Sequence, residues 1–174
     1  MAGASAQKGK PEPSQDEVSD ATLRSFFGYN MKRAFNTVQT DVNRALAPFG
    51  LRMVTFSALV IIVDNPGLRQ SQLADVLSIE RPNLVLIVDD LEKRGLISRN
   101  PAPKDRRAYA LDPTEEGRRL CTAALLAVRE HDLRMTRRLN PFEQDILIPM
   151  LQRIENPDHA DVAEVEAEGG LSSS

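Results

Sequence analysis

The run Gln72-Leu73-Ala74-Asp75-Val76-Leu77-Ser78-Ile79-Glu80-Arg81-Pro82-Asn83-Leu84-Val85-Leu86-Ile87-Val88-Asp89-Asp90-Leu91-Glu92-Lys93-Arg94-Gly95 holds two helical patterns split by a short break. Apolar residues recur by threes and fours on each side of Ser78, which predicts helices over about Arg69–Leu77 and Arg81–Arg94. Pro82 is tolerated only in the first turn of the second, where its missing N–H has no intrahelical partner, and Gly95 closes that helix. Leu84, Ile87, Val88 and Leu91 share the inward face. Arg81, Asn83, Val85, Leu86, Asp89 and Asp90 are left on the other side.

Two β-prone pieces follow, Leu96–Arg99 and Ala108–Leu111, around Asn100–Arg107 with its two prolines and charged tip. This predicts a hairpin with a long loop. Arg99, Lys104, Arg106 and Arg107 stand against Asp105, the strongest basic cluster in the chain. Helix, tight turn, helix and charged hairpin make a winged helix-turn-helix. In that arrangement one helix lies in the DNA major groove while the hairpin reaches adjacent phosphates or the minor groove.

On either side of this lobe the pattern is again helical. An apolar stripe from Leu23 to Phe49 predicts a first helix of about seven turns, stopped by Pro48 and Gly50, and a second helix covers Met53–Val63 before the turn Asn65-Pro66-Gly67. Thr114 is a predicted N-cap for a fifth helix running to about Leu139, with Glu115 and Glu116 in its first turn. Asn140, Pro141 and Glu143 open a sixth, which Pro149 should kink. The expected class is mainly α, six helices and a β-hairpin wing. Its expected organisation is an arm over 1–18, a first helix over 19–52, the winged lobe over 53–113, two further helices over 114–155 and an acidic tail over 156–174.

Composition agrees with one domain. The 174 residues include no Trp and only 5% aromatics, which disfavours hairpin-rich β architectures. A single cysteine, Cys121, rules out an internal disulfide, and two histidines, His131 and His159, do not suffice for a closed zinc site. Neither a metal nor a cofactor is expected. The net charge of −3 argues against a polyanionic partner, but residues 1–155 carry all 22 basic and 20 of the 25 acidic residues, a balance of +2. The tail holds the remaining acids. Met1–Val18 lacks the apolar run of a signal peptide, and the longest apolar stretch, Ala58–Val63, is far short of a membrane span. A cytoplasmic protein with no membrane partner and mobile ends is expected.

The pieces Gln72–Asn83, Val88–Leu96, Asp105-Arg106-Arg107-Ala108 and Thr114-Glu115-Glu116-Gly117, in that order and spacing, resemble the MarR family of bacterial transcriptional regulators over about residues 22–155. The resemblance implies that the fourth helix recognises DNA, that Asp-Arg-Arg is the wing tip, and that the first, fifth and sixth helices form a dimer interface. Arg81, Pro82 and Asn83 then open the recognition helix, with Asn83 suited to an adenine edge, and Leu86 lies one turn on. Arg106 or Arg107 enters the minor groove, while Arg99 and Lys104 lie nearer phosphates, and Arg69 is a further DNA-binding candidate. The chain departs from the family at Glu80, in place of a small polar N-cap, at Val85 and Leu86, where Ser and Arg are common, and at Asp90, commonly basic. These changes predict low non-specific affinity, with weaker or thymine-methyl-biased base reading.

Apolar residues near the two ends, among them Phe26, Phe27, Phe35, Phe142, Ile148, Leu151 and Ile154, exceed what a small winged helix can cover. A homodimer is the favoured account, and packing within one monomer core is the alternative. The resemblance further implies a small-molecule effector that releases the protein from a pseudo-palindromic operator. Phe27–Phe35 is similar to MarR members governing aromatic-acid degradation, whose effectors include aromatic acids and their coenzyme A thioesters. Tyr29, Asn30, Arg33 and Phe56 are the candidate effector contacts, although an ordinary amphipathic surface accounts for Tyr29 and Arg33 equally well. Lys32, Arg33, Arg44 and Arg52 are available for thioester phosphates.

Two other function classes compete with this reading. An enzyme is disfavoured because no phosphate loop, nucleophile elbow, Cys-His pairing or metal spacing is present, so no catalytic residue is assigned. A winged-helix module that binds protein and not DNA draws its support from Val85, Leu86 and Asp90 on the groove-facing side. Cys121, beside Leu120 and Ala124, reads as a buried inert thiol.

Overall fold

The computed structural model describes residues 18–102 and 105–155. Expectations for the arm up to residue 17, for the tail from 156 and for Lys104 lie outside the described residues. The fold is mainly α, with six α-helices and one small antiparallel sheet among the described residues. It falls into two compact units, one ending at Gln39 and the other beginning at Thr40.

In the first unit a 3-10 turn, Leu23–Ser25, precedes helix α1 (Phe27–Leu46), and Phe26 between them is extended. The expected continuous helix from Leu23 is therefore broken. The cause is Asn30, whose side-chain amide donates to the carbonyls of Arg24 and Phe26, both at 2.8 Å. An Asn side chain that bonds nearby backbone offers the chain an alternative to regular helix. Asp20 gathers the polar side chains of this unit, accepting from Arg24 Nε at 2.9 Å and from the Tyr29 hydroxyl at 2.7 Å. At its other end α1 passes into a second 3-10 turn, Ala47–Phe49, and stops at Gly50, whose φ of +64° suits a residue without Cβ.

The second unit is built on α2 (Met53–Asp64), whose Phe56, Ala58, Leu59 and Ile62 are buried. Helices α3 (Gln70–Leu77), α4 (Arg81–Lys93) and α5 (Glu115–Thr136) pack on it, together with the sheet. Leu84, Val88 and Leu91 of α4 are buried and Ile87 is half-buried, as the helical spacing predicts. Between α3 and α4 the chain turns on Ser78, which is left-handed at φ 52°, while the Ile79 N–H returns to the Ala74 carbonyl at 3.0 Å. That turn sets the angle between the two helices.

The sheet has the order β1 (Leu68–Arg69), β3 (Asp105–Pro113), β2 (Ile97–Ala102), all antiparallel. Pairing runs from Ile97↔Pro113 through Pro101↔Tyr109 to Ala102↔Asp105, with an irregularity at Pro101/Ala102. The strands therefore take in most of the expected loop. Pro101 is accommodated because β2 is an edge strand, where a missing donor costs no second ladder. Strand β1 was not predicted; two residues are too few to show alternation.

Thr114 caps α5 as predicted, its Oγ1 accepting from the Gly117 N–H at 3.0 Å. Asn140 and Glu143 satisfy each other's backbone N–H at 3.0 and 2.8 Å at the start of α6 (Pro141–Glu155). Pro149 lies inside α6, and the helix continues past it. Among the described residues no single helix is long and apolar enough to cross a membrane.

A polar tie joins α5 to the end of α1. His131 of α5, 1% exposed, uses Nδ1–H to hold Asp41 of α1 at 2.9 Å, and Arg134 adds a bond to the same carboxylate oxygen at 3.1 Å. The His131 hydrogen bond first, and then Arg134, keep the Asp41 carboxyl below its ordinary pKa. A carboxylate depressed in the native state stabilises the fold above the unfolded-chain pKa of about 3.9, and that contribution is lost as pH falls through the native value. Asp41→Asn is therefore expected to flatten the acid limb of the stability profile below about pH 4. Urea midpoints measured from pH 7 to pH 3 check this; an acid limb as steep as that of the parent protein contradicts it.

Candidate functional site

Helix α4 presents a continuous exposed face. Arg81, Pro82 and Asn83 open it, and Val85, Leu86, Asp89 and Asp90 follow, all exposed. Glu80 precedes the helix in extended conformation and its side chain makes no capping hydrogen bond. Pro82 brings no N–H to the first turn, and the Asn83 and Leu84 N–H groups donate to the Glu80 carbonyl at 3.0 and 3.1 Å. Gln70 and Ser71 at the start of α3 line a groove with Arg81, Leu84 and Val85. Arg69, immediately before α3, is exposed. The structure thus brings Arg81, Pro82, Asn83 and Leu86 onto one accessible surface. Arg106 and Arg107 lie in β3, and only their backbone is described.

Arg99 departs from expectation. Its guanidinium is paired with Asp89 and, at 3.1 Å, with Glu92, both on α4, and its side chain is only 22% exposed. It is a strut from β2 to α4 and not a free phosphate ligand. The pairing joins separate elements, so only the i, i+3 spacing of Asp89 and Glu92 on one helix face hinted at it. Sequence reasoning also missed Arg94. Its two terminal nitrogens donate to the carbonyls of Gly50 (2.9 Å) and Phe49 (2.8 Å), and Asp90 lies 3.7 Å away. The end of α4 is thereby tied to the turn that follows α1. A Cβ on Gly50 would sit 3.3 Å from that guanidinium.

The second half of α4 therefore carries three carboxylates, each facing an arginine of the same chain. Its first two turns carry the exposed cation Arg81, the amide Asn83 and an apolar pair. Hydrogen bonding to base edges, phosphate neutralisation and methyl contact are the chemistries such a surface offers to a duplex.

Comparison with known proteins decides the family. The MarR family profile matches residues 51–109. A Thauera aromatica protein named for transcriptional regulation of the hcr operon is 31% identical over 160 residues, which span 91% of this chain and 96% of that protein. This chain belongs to the MarR family. Among solved MarR-type structures, the transcriptional repressor CouR bound to a 23-mer DNA duplex aligns with a TM-score of 0.77 and 37% identity, covering 80% of this chain and 99% of that one. CouR from Rhodococcus jostii RHA1 bound to p-coumaroyl-CoA aligns with a TM-score of 0.71 and 32% identity, covering 80% and 98%.

Two of the candidate effector contacts in this MarR chain already have partners within the chain. Phe56 is a core residue of the second unit, packed with Leu59, Ile62 and Leu73. Asn30 has its amide committed to the carbonyls of Arg24 and Phe26. Tyr29 and Arg33 do come together: Arg33 donates to the Tyr29 hydroxyl at 3.3 Å, its guanidinium lies 5.8 Å from the ring centre, and Asp20 joins both. The Tyr29 hydroxyl bond is the main reason that Asp20 is held below its ordinary pKa. Cys121 is buried; burial, and secondarily the Asp64 charge, push its thiol up, away from the reactive thiolate. Among the described residues no group of three or more His, Cys, Asp or Glu side chains is placed to hold a metal ion.

Proposed function

We propose that this chain is a cytoplasmic, ligand-responsive transcriptional repressor, a homodimer that binds a pseudo-palindromic operator and is released from it by an aromatic acid or its coenzyme A thioester. The observation that carries the proposal is the exposed face of α4 in a chain 37% identical to a repressor solved on DNA. Residues 53–113 form the DNA-reading lobe, with α4 in the major groove. Arg81 and Asn83 face base edges, Pro82 and Leu86 supply apolar contact, Arg69 serves a phosphate, and Lys104, Arg106 and Arg107 act from the hairpin tip. Arg99 stands apart from this set, because its guanidinium is matched by Asp89 and Glu92.

Residues 19–52 and 114–155 form the dimer. Support comes from apolar side chains that a single chain leaves in solvent: Phe142, 70% exposed, with Ile148, Met150 and Leu151 on α6, and Phe27 and Phe35 on α1. For the effector, support comes from CouR in complex with p-coumaroyl-CoA. Tyr29 and Arg33, a phenol and a cation in contact, are the contacts proposed for it.

Footprinting on the gene's own upstream region tests the proposal. Two protected half-sites about one helical turn, or 10 base pairs, apart are expected. Isothermal titration with p-coumarate and with p-coumaroyl-CoA tests the effector, and heat from neither would remove that part.

A further inference from the structure

Leu86 is 69% exposed and Val85 41%, and Pro82, one turn earlier, is exposed on the same side of α4. This is an apolar stripe on a helix whose buried face is already complete with Leu84, Val88 and Leu91. The turn that follows offers no cation to a duplex, because Asp89 is matched by Arg99 and Asp90 faces Arg94. Resting on the reading of α4 as the helix that enters the major groove, we infer that Leu86, with Val85 beside it, is a specificity residue that packs against the C5-methyl groups of thymines in each operator half-site.

The chemistry of the groove carries the choice. Of the groups on the major-groove edges of the four base pairs, the thymine methyl is the apolar one; the rest are donors and acceptors. A leucine pressed on N7, O6 or an exocyclic amine displaces water from a polar group and returns no hydrogen bond, which counts against those bases. Against a methyl it loses nothing and removes apolar surface from water. Leu86 therefore selects for thymine and against the alternatives at one step. The neighbouring carboxylates make no phosphate contact, so the discrimination stands out against a weak non-specific background.

Replacing thymidine by deoxyuridine removes the methyl and leaves every hydrogen-bonding group in place, so it isolates this contact. The full-length protein is titrated against its footprinted operator, with each thymidine replaced in turn at symmetric positions of both half-sites. At one or two positions binding is expected to weaken about fourfold per methyl lost, the worth of one buried CH2-sized group, and so about 15-fold for the symmetric pair. Leu86→Ala is expected to bind the natural operator more weakly and to lose sensitivity to deoxyuridine at those positions; Leu86→Met, which keeps an apolar reach, is expected to retain it. Equal binding of natural and deoxyuridine operators throughout overturns the inference while leaving the repressor reading intact. Full deoxyuridine sensitivity in Leu86→Ala, or unchanged DNA binding in that variant, also overturns it, the latter pointing to a protein partner for this patch. Absence of any specific operator binding by the parent protein sinks the repressor reading itself, and the inference with it.

Discussion

Gly117→Ala is expected to destabilise the protein by about 3 kcal/mol, the upper end of the usual cost of overpacking. Gly117 lies in the first turn of α5, and a Cβ there would sit 1.9 Å from the carbonyl oxygen of Leu96 and 2.9 Å from its carbon. Both atoms belong to backbone, so no rotamer relieves the clash. The neighbourhood has little freedom to move. The Leu96 carbonyl accepts from the Thr114 N–H at 3.0 Å, and Thr114 Oγ1 donates to the Gly95 carbonyl at 2.6 Å while accepting from the Gly117 N–H. Any shift that admits the methyl breaks the cap of α5 or separates it from the entry to β2. For a domain of this size the melting temperature should fall by about 6–12 °C, read at equal protein concentration. A change within about 0.5 kcal/mol, typical of surface sites, contradicts the packing described.

Replacing Arg106 and Arg107 together by alanine is expected to weaken operator binding at least about 100-fold near physiological salt. A homodimer loses both residues twice, and each lost phosphate neutralisation lowers the dependence of log K on log salt by about 0.9. The slope should therefore fall by about two to four along with the affinity. Loss of a base contact alone would relax specificity with little change in slope, so the two quantities together distinguish anchoring from reading. Unchanged affinity and unchanged slope would favour the alternative in which the winged helix binds a protein partner. The folded state is not expected to suffer, and thermal melting of the double variant serves as the control.

Features with a local cause could be read directly from residue order. The inward face of α4, at Leu84, Val88 and Leu91, follows from helical spacing, and the Thr114 cap and the reciprocal Asn140–Glu143 pair follow from side chains three residues apart. Features with a non-local cause could not. The break at Phe26 depends on Asn30 reaching back past its own helix start. The role of Arg99 depends on two acids in another element, and that of Arg94 on carbonyls more than forty residues away. The extension of β2 through Pro101 follows from its place at the sheet edge, a matter of topology. The charge on the exposed face of α4 depends on the same kind of non-local pairing. Counting Arg99 as a free cation overstates the local positive field, because its guanidinium is matched by Asp89 and Glu92. Phe56 lies on α2, a helix apolar on every side, and such a helix does not disclose which face is buried.

Ligand-controlled operator binding is tested most directly by fluorescence anisotropy of a labelled duplex from the gene's own upstream region. The full-length protein is titrated with excess non-specific DNA present, and p-coumaroyl-CoA is added at saturation. Saturable binding with a Kd of about 10⁻⁸ M or tighter is predicted, fully reversed by the thioester and unaffected by coenzyme A alone. Binding that non-specific DNA competes away at once, or a complex that neither p-coumaroyl-CoA nor p-coumarate dissociates, would contradict it.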